Sequence, residues 1–428
     1  MEMIDAANQP RTTRFRMIRD GRAATDRLVL FAALYAIQGV VVAFFFNFNK
    51  PYMIAAGVRE DVVGTLESIV LLPFVFKFVF GPISDRFALF GLGHRKPYII
   101  GGLLVQTCSL IMLAFVDPAR HLTLFGAVAF ATVFGLACYD TCCDGLAVDL
   151  TPPEDRSKTQ GAMLTARFAA TMVCTLLFGL WLEHGGGADS NTRVPHVLLA
   201  CAALGIIPLM LAFRFVEPKR PPEFETFQWS ALRSLVRPWT LALLAFGTLY
   251  AIAGMGAEIN LSAYYRSIGL RYGDLGTLGA VRYAGRAIGA LLLPFVFRRV
   301  GQRGCLLIGI VGLAAATAGQ VLVRGGLVAT PLAFAFGAAN GWNDALFGVL
   351  AMEAADPSLA ASSFALLMAV TNLSVAGDWA FAKAVAAFDH NYRLVYLLAS
   401  VVVLITLPLA IPLGKSARRD EPEPSDVA

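Results

Sequence analysis

The chain has 428 residues, 57% of them hydrophobic and 15% charged, whereas a soluble domain carries about 25% charged residues. Apolar runs of about 18 residues or more recur from end to end, and a single buried soluble core does not produce a series of such runs separated by short polar loops. The formal net charge of +5 comes from basic loop residues rather than one basic face, so it is no sign of a nucleic-acid partner.

In chain order, the polar, Arg-rich segment 1–27 has no short apolar core before a small-residue cleavage site, so the first helix is expected to act as the insertion signal. Apolar runs predict helices at approximately 28–46, 62–80, 97–116, 122–149, 161–182 and 196–215. The Pro-rich segment 216–238 (Glu217, Pro218, Lys219, Arg220, Pro221, Pro222) cannot continue a helix and is the natural joint. Six more helices follow at approximately 239–257, 274–297, 304–323, 327–352, 362–387 and 392–413, and the tail 414–428 is polar. The expected architecture is all-α: twelve transmembrane helices as two six-helix bundles, 28–215 and 239–413.

With the N-terminus in the cytoplasm, cytoplasmic segments hold roughly 21 Lys and Arg against roughly 8 on the other side. That bias predicts that both termini lie on the cytoplasmic side of the cytoplasmic (inner) membrane; the lipid bilayer is the expected surrounding partner, and a monomer is expected. All seven cysteines fall in apolar runs, so no disulfide framework is expected. Cys138, Cys142 and Cys143 neighbour Asp140 and Asp144, but no His lies in the centre of a span to complete a metal site, so neither metal nor cofactor is expected.

A spacing repeat supports the two halves. Asp140, Asp149 and Pro153 near the end of the fourth helix match Asp344, Glu353 and Pro357 near the end of the tenth, nine residues and then four apart. Matched positions of this kind suit parallel repeats about an axis along the membrane normal.

The loop after the second helix reads Gly81-Pro82-Ile83-Ser84-Asp85-Arg86, then Gly91-Leu92-Gly93-His94-Arg95-Lys96-Pro97. It resembles the G-x-x-x-D-R…G-R-R/K signature of the major facilitator superfamily. The resemblance implies a cytoplasmic gate in which Gly81, Asp85, Arg86, Arg95 and Lys96 make and break contacts as two halves rock. The fourth helix carries Asp140, Asp144 and Asp149 as D-x-x-x-D-x-x-x-x-D. This pattern, with Val75-Phe76-Lys77-Phe78 before Gly81, is similar to the muropeptide permease and acetyl-CoA transporter branch and to the folate–biopterin transporters. The stretch Gly145–Leu150 also resembles light-harvesting assembly proteins of the same superfamily.

Asp140 and Asp144 are one turn apart on one face, and carboxylates inside a membrane helix are functional by default. They are candidates for a proton site, against the alternative of structural pairing with Arg167. Arg286 and Arg282 share a face of the eighth helix and suit an anionic group, against the alternative that the intramembrane cations neutralise acids, Glu67 near Lys77, and Glu258, Asp344 or Asp378. Asn340, Asn343 and Asp344 form a second polar patch, and Asn372, Asp378, Trp379 and Lys383 a third. Tyr35, Tyr139, Tyr264, Tyr265 and Trp342 could line a cavity, with packing as the alternative. No Walker loop, dinucleotide fingerprint or nucleophilic triad occurs, so an enzyme is not expected. The expected function is secondary active transport of a polar or anionic small-molecule substrate, such as a sugar–peptide or nucleotide-like conjugate, by proton symport. The alternative is a non-transporting assembly or pigment-handling factor of the same fold.

Overall fold

The computed structural model describes residues 21–151, 156–184, 191–218, 236–354, 367, 369 and 371–415. Among these residues the structure is helical, with no strand. Helix α1 (Gly21–Phe44) runs through a π turn (Phe45–Asn49) into α2 (Lys50–Ala55). Then come α3 (Glu60–Phe76), a 3-10 turn (Lys77–Val79), α4 (Phe80–Arg86), α5 (Lys96–Leu113), α6 (Leu122–Leu150), α7 (Arg156–Glu183) and α8 (Val194–Arg214). After residue 236 follow α9 (Pro238–Ser267), α10 (Tyr272–Gly319), α11 (Gly326–Ala354), α12 (Val375–Ala387), α13 (Tyr392–Leu404) and α14 (Ala410–Leu413).

Nine helical stretches among the described residues are long and apolar enough to cross a membrane. One of them, Tyr272–Leu322, has 51 residues. At about 1.5 Å per residue this is about two and a half times the thickness of a bilayer's hydrocarbon core. The backbone breaks at Gly301, whose φ of 68° and ψ of −176° are open to glycine alone. The two helices expected here are therefore separated by a one-residue break rather than a loop.

The first helix differs from expectation. It does not stop near 46 but continues to Ala55, because the π turn absorbs an extra residue and Pro51 sits in the first turn of α2, where its missing N–H is harmless. Lys50, expected in a loop outside the membrane, is consequently 2% exposed inside the bundle.

Within the first group of helices α1 packs on α7 and α5 on α6; within the second, α10 packs on α11 and α9 on α12. Small residues make these approaches possible: a Cβ on Gly39 would stand 2.2 Å from the Arg167 carbonyl oxygen, and one on Gly341 1.9 Å from that of Arg286.

The groups meet through α7 against α10 and α3 against α12. Gly179 and Gly276 bring α7 and α10 so close that a Cβ on either would lie within 2.8 Å of the other's Cα. Around them Arg271 reaches Glu183 at 3.2 Å, the Tyr272 hydroxyl donates to Asn191 at 3.1 Å, Lys383 pairs with Asp61 at 3.6 Å, and His390 meets Glu60 at 2.7 Å. All of these contacts lie at one end of the bundle, the end that carries Arg59.

At the opposite end, which carries Arg95, the named contacts stay inside one group. The Glu217 carboxylate, just past α8, accepts from the backbone N–H groups of His94 (3.1 Å), Arg95 (2.9 Å) and Lys96 (2.7 Å), and so caps α5. In the other group the Trp239 indole N–H donates to the Lys415 carbonyl at 2.9 Å.

Candidate functional site

Four sets of charged side chains lie within the helices. On α6, Asp140 accepts from Gln38 Nε2 of α1 at 2.7 Å and pairs with Lys77 Nζ at 3.1 Å. One turn on, Asp144 accepts a short hydrogen bond from the Tyr35 hydroxyl. The shared face read from the spacing thus points at α1. Lys77 belongs to Asp140 and not to Glu67, the acid expected for it. Arg167 of α7 stands within electrostatic range of Asp144 and Lys77. Lys77 keeps 27% of its side chain accessible while Asp140 keeps 6%.

The second set spans α9, α10 and α11. Arg286 forks between two carboxylates, reaching Glu258 Oε2 at 3.0 Å and Asp344 Oδ2 at 2.5 Å. Arg282 lies 3.5 Å from Glu258 Oε1 and donates to Asn47 Oδ1 of the π turn at 2.7 Å. The arginine pair thus lies against Glu258 and Asp344, and Asp378, the third acid weighed for it, pairs with Lys50 instead. The Asp344 side chain is still 41% accessible, which suits a wall of a polar cavity and not a lipid face.

The third set was not foreseen as a unit. Lys50 donates to Asp378 Oδ1 at 2.6 Å and Asn260 Oδ1 at 2.8 Å, and lies 3.4 Å from Glu67 Oε2. Asp378 and Lys383, five residues apart, go to different partners, Lys50 and Asp61. Lys383, its side chain 44% accessible, stands at the Arg59 end, paired with Asp61.

The fourth set surrounds the signature loop. Arg95 donates to Ser84 Oγ at 2.5 Å, and its Nε lies 3.9 Å from Asp149. The guanidinium packs on Gly145, where a Cβ would meet its Cζ at 2.5 Å. Gly81 offers its carbonyl to Arg95 at 3.4 Å. Lys96 donates to the Phe213 carbonyl at 3.0 Å instead of bridging to an acid, and Arg86 lies over the Phe87 ring at 5.8 Å. The Asp85 side chain, Pro153 and Pro357 lie outside the described residues. Glu217, which sequence reasoning assigned to the linker alone, is the acid that binds this loop; the Glu-Pro pair at a helix end was the available signal.

Asn343 is fully buried and ties α11 to the Gly309 carbonyl at 2.9 Å, so it serves helix packing. Tyr139, Tyr265 and Trp342 are likewise buried, bonded to Gln106, Gln320 and the Cys305 carbonyl, and Tyr264 points at the Gln320 and Val323 carbonyls. Of the aromatic residues expected near a cavity, Tyr35 is the one joined to the carboxylate pair. Among the described residues no cluster of His, Cys, Asp and Glu could hold a metal ion.

Comparison with known proteins agrees with the helical fold. A family model described as "Major Facilitator Superfamily" matches residues 28–377. The chain belongs to the Major Facilitator Superfamily. Membership in this family of membrane transporters makes it an integral membrane protein and not an enzyme. Over 324 residues it is 25% identical to the anhydromuropeptide permease of Escherichia coli (strain K12), a match covering 71% of this chain and 63% of that protein, so the chain spans less than two thirds of that relative's length. It is 24% identical over 454 residues to the folate-biopterin transporter of Synechocystis sp. (strain ATCC 27184 / PCC 6803 / Kazusa), covering 95% of this chain and 86% of that one. Among solved structures, the nucleoside transporter NupG superimposes with a TM-score of 0.71 at 12% identity, covering 92% of this chain and 99% of that one. At that identity the likeness establishes the superfamily fold.

Proposed function

We propose that the chain is a secondary active transporter that works by alternating access and symports a polar or anionic small metabolite with protons. Twelve spans in two halves, 28–215 and 239–413, suit this reading: the break at Gly301 divides α10 into two, and Gly326–Ala354 and the segment around α12 complete the second six. The surplus of Lys and Arg in alternate loops supports a cytoplasmic Arg95 end and cytoplasmic termini, and the contacts at the Arg59 end would then close the outer side.

The observation that carries the reading is the pairing of charges that remain partly accessible at depth in the bundle. Lys77 with Asp140 in one half, and Arg286 with Asp344 in the other, keep 27% and 41% of one partner's side chain accessible. A lipid-facing scaffold has no need of such charges, whereas a wet pathway between halves keeps them solvated. An anionic substrate would compete for Lys77, Arg167 and Arg286. Asp140 and Asp144, relieved of their cations, would then take up a proton, which couples the two movements.

The E. coli relative suggests a sugar–peptide as the first compound to test. The experiment is uptake into proteoliposomes under an imposed proton gradient, with anhydromuropeptides, acyl-CoA, pterins and small organic anions as the panel. Gradient-dependent accumulation of one of these supports the reading. Failure of every compound to accumulate, with the protein correctly inserted, would overturn it.

A further inference from the structure

Charge balance separates one cluster from the others. Lys77 and Arg167 stand against Asp140 and Asp144, and Arg282 and Arg286 against Glu258 and Asp344, two cations to two acids each time. The Lys50 cluster sets one cation against two carboxylates, Glu67 and Asp378, whose side chains are 5% and 0% accessible. An uncompensated charge buried this deeply costs several kcal/mol.

The hydrogen bonds show where compensation belongs. Asn49 Nδ2 donates to Glu67 Oε1 at 3.2 Å, and Asn260 Nδ2 and Lys50 both donate to Asp378 Oδ1. Glu67 Oε2 and Asp378 Oδ2 remain, both buried and both without a hydrogen-bond partner among the described residues. The two carboxyl groups lie within reach of each other. One proton on either carboxyl group gives one of these oxygens a hydrogen to share and brings the cluster to neutrality, since like charges sharing a site do not both ionise.

We infer that Glu67 and Asp378 form a binding site for one proton, held while the Arg59 end of the bundle is closed. Glu67 belongs to α3 and Asp378 to α12, and Lys50 reaches them from α2. The site therefore exists only when the two groups of helices touch. The π turn builds it by presenting Asn47 to Arg282, Asn49 to Glu67 and then Lys50 to Asp378 in succession. Opening this end separates the carboxylates, admits water and releases the proton. The closed-to-open ratio accordingly rises as pH falls, by up to tenfold per pH unit for one proton. The other titratable group facing the cluster is Tyr392 of α13, through Asp378. At the same end lie the separate pairs His390–Glu60 and Lys383–Asp61. This site is distinct from Asp140 and Asp144, and it holds whatever the chain carries.

Infrared difference spectroscopy of the full-length protein in lipid, titrated from acid to alkaline pH, reads the carboxylic C=O stretch directly. The expected result is a titrating carboxyl band that is present in the wild type, absent from both Glu67→Gln and Asp378→Asn, and retained in Asp144→Asn, beside the separate bands of exposed carboxylates and of the α6 pair. If neither cluster variant loses a band while Asp144→Asn does, the proton sits at α6 alone; that would overturn this inference and leave the proposed symport intact. Absence of the band from wild type, loss in only one cluster variant, or any other pattern also overturns it.

A second measurement leaves the cluster unaltered. Spin labels at Val58→Cys and Asp389→Cys, in a Cys108→Ser, His390→Gln background, report the distance across the closed end. The distance should lengthen as pH rises. A pH-independent distance refutes the link between proton and closure.

Discussion

The capping of α5 by Glu217 gives the most direct test of the signature loop's construction. Three backbone N–H groups at the start of α5 converge on one carboxylate at 2.7–3.1 Å. Lys96 is the first residue of α5 and Arg95 its N-cap, so their N–H groups are donors the helix start leaves without partners, and the macrodipole favours a negative charge there. Hydrogen bonds to a charged group contribute about 1.5–3 kcal/mol each when buried, but water replaces part of that at a half-exposed loop. Glu217→Ala is therefore expected to cost about 2–4 kcal/mol, on the order of thirty- to seven-hundred-fold in the folded-to-unfolded ratio. Glu217→Gln keeps one acceptor and loses the charge, and is expected to cost about 1 kcal/mol, near the scale of a lost cap. Denaturant unfolding in mixed micelles, followed by tryptophan fluorescence, gives the difference, and hydrogen exchange at residues 94–96 localises it. Glu217→Ala within about 0.5 kcal/mol of wild type, with unchanged exchange at those three amides, would refute the capping role. Gly93 sets the geometry: its φ is +108°, and a Cβ there would lie 2.5 Å from Glu217 Oε2. Gly93→Ala should reproduce the loss through backbone strain and a clash with Glu217.

Other outcomes follow from the charged sets. Asp144→Asn is expected to abolish proton-driven accumulation while sparing substrate exchange across the membrane; accumulation equal to wild type under a pH gradient would remove Asp144 from coupling. Arg286→Ala leaves Asp344 without its cation while Arg282 stays beside Glu258, and because Asp344 is 41% accessible it should lower stability by only about 1–3 kcal/mol, with Arg286→Lys losing less because charge is kept and the fork is lost. An unfolding midpoint unchanged by Arg286→Ala would contradict the pairing, and unchanged substrate affinity would remove it from substrate contact. Gly276→Leu puts a side chain where a Cβ already comes within 2.8 Å of Gly179, so it should prise α7 from α10. A thiol at Val58→Cys should then label faster, and equal labelling rates would show that this contact does not hold the end closed.

Much of the architecture was legible because the bilayer imposes a single rule, that a span be long, apolar and internally hydrogen-bonded. That rule also explains the failures. Asn47-Phe48-Asn49-Lys50-Pro51 reads as a polar loop with a proline, and hydropathy ends the first helix before it. The helix continues because each polar group has a partner on another element: Arg282 for Asn47, Glu67 for Asn49, and Asn260 and Asp378, 210 and 328 positions away, for Lys50. No local window contains those partners. The cost of intramembrane charge says that a partner exists without naming it, which is why Asp140 and Asp144 were picked out and Lys77 was matched to the wrong acid. Glu217 shows the same limit, since the Glu-Pro pair marks a helix end but the backbone N–H groups it binds lie more than 120 positions away. The charges readable one by one in the sequence become a mechanism only as sets. Two of those sets balance, and the third, built on the turn that hydropathy discards, lacks one positive charge that a proton can supply.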